Sequence, residues 1–441
     1  MRIFGLSLLS LFMACGDGLP PTREPMSVDE PVSVPKLARP SALASSALLT
    51  VTPPQPASRA PSALSEVHGL VRFFEALHQL ELGQGDDVRI VQYGDSHTAS
   101  DLPTAATRRV LTARFGKGGR GFVPIGKPLA HSAYEGVRGG MSKDFTVECA
   151  SFSRGKGAGD GAYGLLGVAI ASSHTGASAW VSFRQHASGL EIAYLEQPHG
   201  GSFDVVVDGS KIVRITTRGP VARSGFHPLS LTDTPHRLEI RVVGGGDVRL
   251  FGVALDSPSR GVVLDALGIG GAQIFTALRW NDVHFGEQLA HRAPSLVVLA
   301  YGTNESVETL APSDYEKALV ELVGRVSRAV PNAACLLVGP PDRAVRAGRE
   351  DAATWQTASN LVAVVASQER VARAIGCGFY NQFLAMGGEG SMAKWASESP
   401  PRGGRDRVHL TREGYTELGT KLANDLVGAY EAWRSNAAHR K

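Results

Sequence analysis

The sequence predicts an α/β protein: a three-layer α/β/α domain built on a parallel sheet and interrupted by an all-β, sandwich-like insert. Three observations carry this expectation. Apolar runs rich in Val, Ile and Leu alternate with helical patterns over residues 64–115 and again over 262–433, an alternation that builds a parallel sheet covered on both faces. Over 122–261 helical periodicity disappears and short runs of alternating polarity are separated by turn residues, which suggests a β-sandwich. The length, 441 residues, exceeds what one simple core fills, so two folded units are expected.

Composition narrows the function classes. The hydrophobic fraction of 43% fits a soluble globular protein. The net charge of +3 is small for this length. No Lys/Arg block stands out, so nothing points to nucleic acid. Of the four cysteines, Cys15, Cys149, Cys335 and Cys377, none forms a C-x-x-C pair, which argues against a cysteine zinc site. Cys335 and Cys377 lie on two apolar runs and fit either a disulfide in an oxidising compartment or a pair of buried thiols.

At the N-terminus, Arg2 is followed by an apolar run from Ile3 to Ala14. This is shorter than the ~20 residues needed to span a bilayer and reads as the core of an export signal. Phe12-Met-Ala-Cys15 resembles a bacterial lipobox, although Phe12 replaces the usual Leu. Residues 1–15 are thus expected to be a signal with Cys15 as the lipidated residue, placing the protein outside the cytoplasm, anchored in the cell envelope. Residues 16–62, rich in Pro, Ala and Ser, form a tether without enough apolar surface to fold.

Residues 63–121 should open the α/β domain. Val67, Leu70, Val71, Phe74 and Leu77 share one helical face. Val88 to Tyr93 is a buried strand stopped by Gly94, with Asp95, Ser96 and His97 on the turn that follows. Pro103 suits the first turn of a helix reaching about Phe115. From Phe115 to Gly126 the chain is a glycine-rich loop. Its G-x-G-x-x-G letters follow a helix instead of joining a strand to a helix, so no nucleotide site is expected. The insert, 122–261, contains seven candidate strands, among them Ala177–Phe183, Leu190–Leu195 and Leu238–Val243. Its aromatics Trp180, Tyr194 and Phe203 are core residues of the sandwich on one reading and sugar-stacking residues on another.

Residues 262–441 resume the α/β pattern. Val262–Leu267 is a strand ending in Gly268-Ile-Gly-Gly271, followed by a helix over about 273–289. Ser295–Tyr301 is a strand ending in Gly302-Thr-Asn-Glu305. Ser313 precedes a helix with Tyr315, Leu319, Leu322 and Val323 on one face. Ala334–Val338 is a strand stopped by Pro340-Pro341. A helix over about 352–374, a short strand Gly378–Tyr380 and a last helix from Arg412 to Trp433, with Thr411 at its N-cap, complete the chain.

Three turns, 94–96, 268–271 and 302–304, follow the C-terminal ends of predicted parallel strands, which converge on one edge of such a sheet. A fourth element, Asp406-Arg-Val-His409, precedes the last helix. At that spacing the carboxylate can orient the imidazole so that its other nitrogen faces outward. In this order, Gly94-Asp-Ser-His97, Gly270-Gly271, Gly302-Thr-Asn304 and Asp406-x-x-His409 resemble the SGNH (GDSL-type) serine esterases. The Gly-Asp-Ser-His start and the inserted β-domain resemble the branch that includes bacterial cell-wall O-acetylesterases.

The resemblance implies an SGNH hydrolase-like fold and assigns roles. Ser96 is the nucleophile, His409 the general base and Asp406 its orienting acid. The Ser96 and Gly271 N–H groups and the Asn304 amide form the oxyanion hole. Asp95 and His97 support the serine by hydrogen bonding, and Asp101 is a turn or cap residue. Which of Gly268 and Gly271 donates stays open, with Gly271 favoured. No metal or organic cofactor is implied. The expected substrate is an acetylated polysaccharide or a small acyl ester, with peptidoglycan-type glycans favoured, and the only membrane contact is the N-terminal anchor. Three alternatives remain: transfer of the acyl group to a sugar, a non-catalytic surface carbohydrate-binding protein, and a metallophosphoesterase using Asp95-x-His97.

Overall fold

A computed structural model describes residues 62–150, 159–257, 259–348 and 354–438. The expected signal, Cys15 and the tether up to residue 61 lie outside the described residues.

A six-stranded sheet runs, edge to edge, through Leu64–Ser65, Gly378–Tyr380, Ala334–Val338, Leu296–Ala300, Val88–Gly94 and Val262–Gly268. All neighbours pair in parallel except the two-residue edge strand Leu64–Ser65. Side chains alternate between two cores, as the period of two in a strand requires. Ile90, Leu264, Val298 and Leu336 pack against Phe73, Phe74, Leu426 and Tyr430 on one face. Val91, Leu267, Val297 and Leu337 pack on the other, with Phe285, Leu289, Leu319 and Leu361. Helices Val71–Glu81, Leu102–Phe115 and Arg412–Ala438 supply the first cover, and Asp282–Arg292, Pro312–Ala329 and Leu361–Ile375 the second. This is the predicted three-layer α/β/α arrangement.

The all-β insert is one hydrogen-bonded antiparallel network of nine strands between Gly119 and Asp256. Two long strands, Ser178–Glu196 and Arg223–Gly244, form its spine and pair with each other. Their register shifts between Ser230 and His236. Beyond that irregularity Ser178–Glu196 exchanges its other neighbour, from Val137–Met141 to Val248–Asp256. Bulges of this kind bend a sheet. The runs 177–183 and 190–195, which read as separate strands in the sequence, are thus two halves of one strand. Inward residues such as Val181, Phe183, Ile192, Phe203, Leu238 and Leu250 form one core. The insert does not stand apart: Phe122, Leu165, Leu166 and Phe251 belong to the same apolar cluster as Val297 and Phe285 of the α/β layers.

The structure departs from the sequence reading in three further places. Gly119–Val123 is a strand, not a loop. Gly121 there has φ of +85°, and a Cβ would stand 2.3 Å from the Asp265 carboxylate, so only glycine allows this approach. The helix expected over 273–289 is two helices, Ile274–Ala277 and Asp282–Arg292. Trp280 separates them by sending its indole N–H to the Gly164 carbonyl, 2.9 Å away. Asn281 then caps the second helix, its side chain accepting from the Val283 and His284 N–H groups. The start of the helix expected over 352–374 is a strand, Thr354–Thr357, paired with Ala344–Ala347.

Cys335 and Cys377 form a disulfide joining the neighbouring strand regions 334–338 and 378–380, and Cys149 is buried. None of the described helices is long and apolar enough to cross a membrane.

Candidate active site

The site begins where Val88–Gly94 ends. A Cβ on Gly94 would meet Thr98 Oγ1 at 2.2 Å and the Ala300 carbonyl at 2.8 Å, so the chain can turn this tightly only at glycine. Asp95 N-caps the short helix Ser96–Ala99, its carboxylate accepting from the His97 N–H at 2.9 Å. This presents Ser96, partly exposed, at the carboxyl edge of the sheet.

Ser96 Oγ lies 2.8 Å from His409 Nε2, and His409 Nδ1 lies 2.7 Å from Asp406 Oδ2. A carboxylate only accepts, so Nδ1 carries the proton and Nε2 is free to accept from the serine hydroxyl. Asp406 also accepts from the Val408 and His409 N–H groups at 3.0 and 2.9 Å. Partial burial opposes its ionisation, but these three hydrogen bonds hold its carboxyl well below the ordinary range. The hydrogen bond to Asp406 raises the His409 pKa above that of an ordinary imidazole, against the effect of burial, and the Asp95 charge adds to the rise.

Asp95 and His97 are buried behind the serine. His97 Nδ1 pairs with the Tyr415 hydroxyl at 2.9 Å, and its ring lies 5.5 Å, centroid to centroid, from that of His409. Burial pushes the His97 pKa down to about 4, against the pull of Asp95. It is therefore a neutral buttress between Tyr415 and His409. Asp101 does more than cap. Buried at φ +51°, it accepts from Thr104, Arg108, Arg120 and the Glu135 N–H.

The second and third turns stand beside the first. Ile269 to Ala272 closes a tight turn through the Ala272 N–H to the Ile269 carbonyl, with Gly271 at φ +72°. Gly268 pairs with Gly94, and a Cβ on it would meet the Ala99 nitrogen at 2.1 Å. It is thus a packing glycine sealed under the serine's helix, whereas Gly271 is partly exposed. The Asn304 amide donates to the Ala272 carbonyl at 2.8 Å, which ties it to the Gly271 turn.

Two groups escaped the sequence reading. Glu305 is buried and accepts from the Ile274 N–H at 2.8 Å and the Gly302 N–H at 3.1 Å, clamping the Gly271 and Asn304 turns together. Burial pushes its pKa up to about 7, against the backbone N–H groups of Ile274, Gly302 and Glu305 itself. Its only sequence signal was an acid directly after Asn304. The paired strands Ala344–Ala347 and Thr354–Thr357 stand on the other side. Arg343, directly before the first of them, donates to the Thr303 carbonyl at 2.9 Å, and the Ala344 N–H donates to the Arg407 carbonyl at 3.0 Å. Among the described residues no three His, Cys, Asp or Glu side chains are grouped to hold a metal ion.

Residues 243–416 match the model of the GDSL-like Lipase/Acylhydrolase family. That stretch holds Gly271, Asn304, Asp406 and His409 and leaves out Ser96, which the insert separates from it. No curated protein sequence matches. A solved structure described as a peptidoglycan O-acetylesterase in action is 24% identical, with a TM-score of 0.71 over 84% of this chain and 100% of that one. A carbohydrate esterase of family two from Corynascus is 15% identical, covering 59% of this chain and 95% of that chain, but its TM-score of 0.30 is too low to bear on the fold.

Proposed function

We propose that the chain is an ester-hydrolysing enzyme that removes O-acetyl groups from an extracellular or cell-envelope polysaccharide, with Ser96 as nucleophile, a reading supported by the match of residues 243–416 to the GDSL-like lipase/acylhydrolase model. The observation that carries the mechanism is the unbroken relay Ser96 Oγ, His409 Nε2, His409 Nδ1, Asp406, with both links at 2.7–2.8 Å.

Ser96 Oγ attacks the acetyl carbonyl as its proton passes to His409 Nε2. The tetrahedral oxyanion is received by the Ser96 and Gly271 N–H groups and by the Asn304 N–H that does not serve Ala272. On collapse the C–O bond to the sugar breaks, the sugar oxygen takes the proton from His409, and acetyl-Ser96 remains. A water molecule gives its proton to the same nitrogen and attacks the acyl group. Acetate leaves and Ser96 regains its hydrogen. Asp406 stays ionised and stabilises the imidazolium formed twice in the cycle. Glu305 keeps the two oxyanion turns at a fixed separation, the preorganisation on which such stabilisation depends.

A polymeric acetyl ester is favoured by the openness of the site, with the His409 side chain 44% exposed, and by the shared fold with the peptidoglycan O-acetylesterase. Export and a lipid anchor at Cys15 are part of the proposal. The Cys335–Cys377 disulfide supports an oxidising compartment. The deciding experiment is acetate release from O-acetylated peptidoglycan and a panel of acetylated polysaccharides. Release from at least one is expected, and hydrolysis confined to small aryl esters would end the glycan assignment.

Asn304→Ala removes one oxyanion donor and should lower kcat by about 10²–10³-fold with little change in KM. Steady-state kinetics on p-nitrophenyl acetate measures this, and a change in KM alone would remove Asn304 from the oxyanion hole.

A further inference from the structure

Two short strands outside both large sheets stand beside the catalytic turns. Ala344–Ala347 and Thr354–Thr357 form a two-stranded ribbon, and a pair this small has little stability of its own. It is fastened at its base. The Asp342 carboxylate, buried just before it, accepts from the Met392 N–H at 2.8 Å, and Thr357 Oγ1 accepts from the Gly390 N–H at 2.9 Å. Ala344 packs in one apolar cluster with Met392, Trp395 and Leu410, the residue after His409.

From this base the ribbon touches two turns of the candidate active site. On one side the Arg343 guanidinium donates to the Thr303 carbonyl at 2.9 Å, next to Asn304. On the other the Ala344 N–H donates to the Arg407 carbonyl at 3.0 Å, inside the Asp406–His409 turn. The Arg343 carbonyl takes the Ala358 N–H at 2.8 Å, which ties the contacting arm to the end of the opposite strand. Arg407 has φ of +58°, a left-handed conformation that a residue with a Cβ keeps only when its surroundings hold it. The ribbon holds it twice. Ala344 grips its carbonyl, and its guanidinium carbon lies 4.9 Å from the centroid of the Trp355 ring, a cation–π contact. Trp355 is 39% exposed, so this contact is not a by-product of core packing.

Arg343 also brings a charge to the site. The ionisable groups facing His409 are Asp406 on its own turn, Asp95 and the neutral His97 behind the serine, and Arg343 on the ribbon. The hydrogen bond to Asp406 and the two carboxylate charges favour the imidazolium, while burial and Arg343 oppose it.

We infer that the ribbon is a brace, with Arg343 and Trp355 as positioning residues that hold the His409 turn and the Asn304 turn in fixed relation, so that base and oxyanion donors face one carbonyl. The inference rests on the serine-esterase reading for its chemistry. It is tested on the full chain with p-nitrophenyl acetate, whose small acyl group tests the catalytic turns alone. Arg343→Met and Trp355→Ala should each lower kcat by about tenfold with KM kept within about twofold, because a misplaced base costs rate more than binding. Breaking the brace at either end frees the same two turns. The double variant should therefore lose little more than the worse single one, whereas independent defects multiply. Arg343→Met should also move the acid limb of kcat/KM to higher pH, since the cation that opposes protonation of His409 is gone. Arg343→Lys should keep the limb in place, and Trp355→Phe should restore kcat. If Trp355→Ala does not fold, the comparison of Arg343→Met with Arg343→Lys carries the test. Parental kcat in the folded variants, a raised KM with kcat unchanged, multiplying losses in the double variant, or an unmoved acid limb in Arg343→Met would overturn the brace. Parental turnover by Ser96→Ala would overturn the serine mechanism instead.

Discussion

Replacing Ser96 with alanine should lower kcat on p-nitrophenyl acetate by about 10⁴–10⁶-fold, the range seen when the serine of a hydrolytic triad is lost. Among the described residues the side-chain oxygen is bonded to His409 alone and the residue is partly exposed, so its removal opens no large cavity. The melting temperature should stay within a degree or two, since surface changes of this kind are worth about ±0.5 kcal/mol. A burst of p-nitrophenol at the enzyme concentration, expected for the parent if deacylation is slow, should vanish as well. Turnover retained at the parental rate by a folded Ser96→Ala protein would dispose of the covalent mechanism.

Asp406→Asn is expected to cost about 10³–10⁴-fold in kcat. The asparagine keeps an oxygen for the Val408 and His409 N–H groups, so the loop can hold its shape. Its amide, however, can donate to His409 Nδ1, which drives the ring proton to Nε2 and leaves nothing to accept from Ser96. The pH profile gives a second readout. His409 must be neutral to act as base. Its pKa is raised, chiefly by Asp406, so the acid limb of kcat/KM should lie above the ordinary imidazole value of about 6.5. Activity is lost as pH falls through that limb. Without the carboxylate the charged imidazole loses its partner, and the limb should move to lower pH. An acid limb that stays in place would mean that another group sets it.

Much of the α/β layer was legible because its signal is local. Strands such as Val88–Gly94 and Leu296–Ala300 are apolar, β-branched runs ended by glycine or by a short polar turn, and buried parallel strands need little else. The serine, histidine and asparagine turns were legible by the same logic, since each stands at a strand end or ahead of a helix. What stayed hidden depends on partners far along the chain. Trp280 breaks a helix by reaching Gly164. Glu305 is a buried acid whose purpose shows only when Ile274 and Gly302 come together around it. Residues 354–357 look helical until Ala344–Ala347 pairs with them. Asp265, the one charge in the strand Val262–Gly268, is buried against Arg292 at 2.7 Å. No local window distinguishes a charge with a distant partner from a misplaced one.

The cluster at Asp101 bears on how such a protein can be cut or lengthened. This carboxylate, 2% exposed, is shared between Arg108 of a helix beside the nucleophile and two groups contributed from beyond residue 118, Arg120 and the Glu135 amide. Excising the β module would strand an ionised acid in a dry interior with half its neutralising company gone, a loss on the order of 3–5 kcal/mol for each severed ion pair. That is a large part of what holds a typical domain together. A pruned, minimal hydrolase made from the flanking halves alone should therefore be recovered as aggregate, and grafting a foreign module at this junction should succeed only when it brings its own arginine to the same carboxylate.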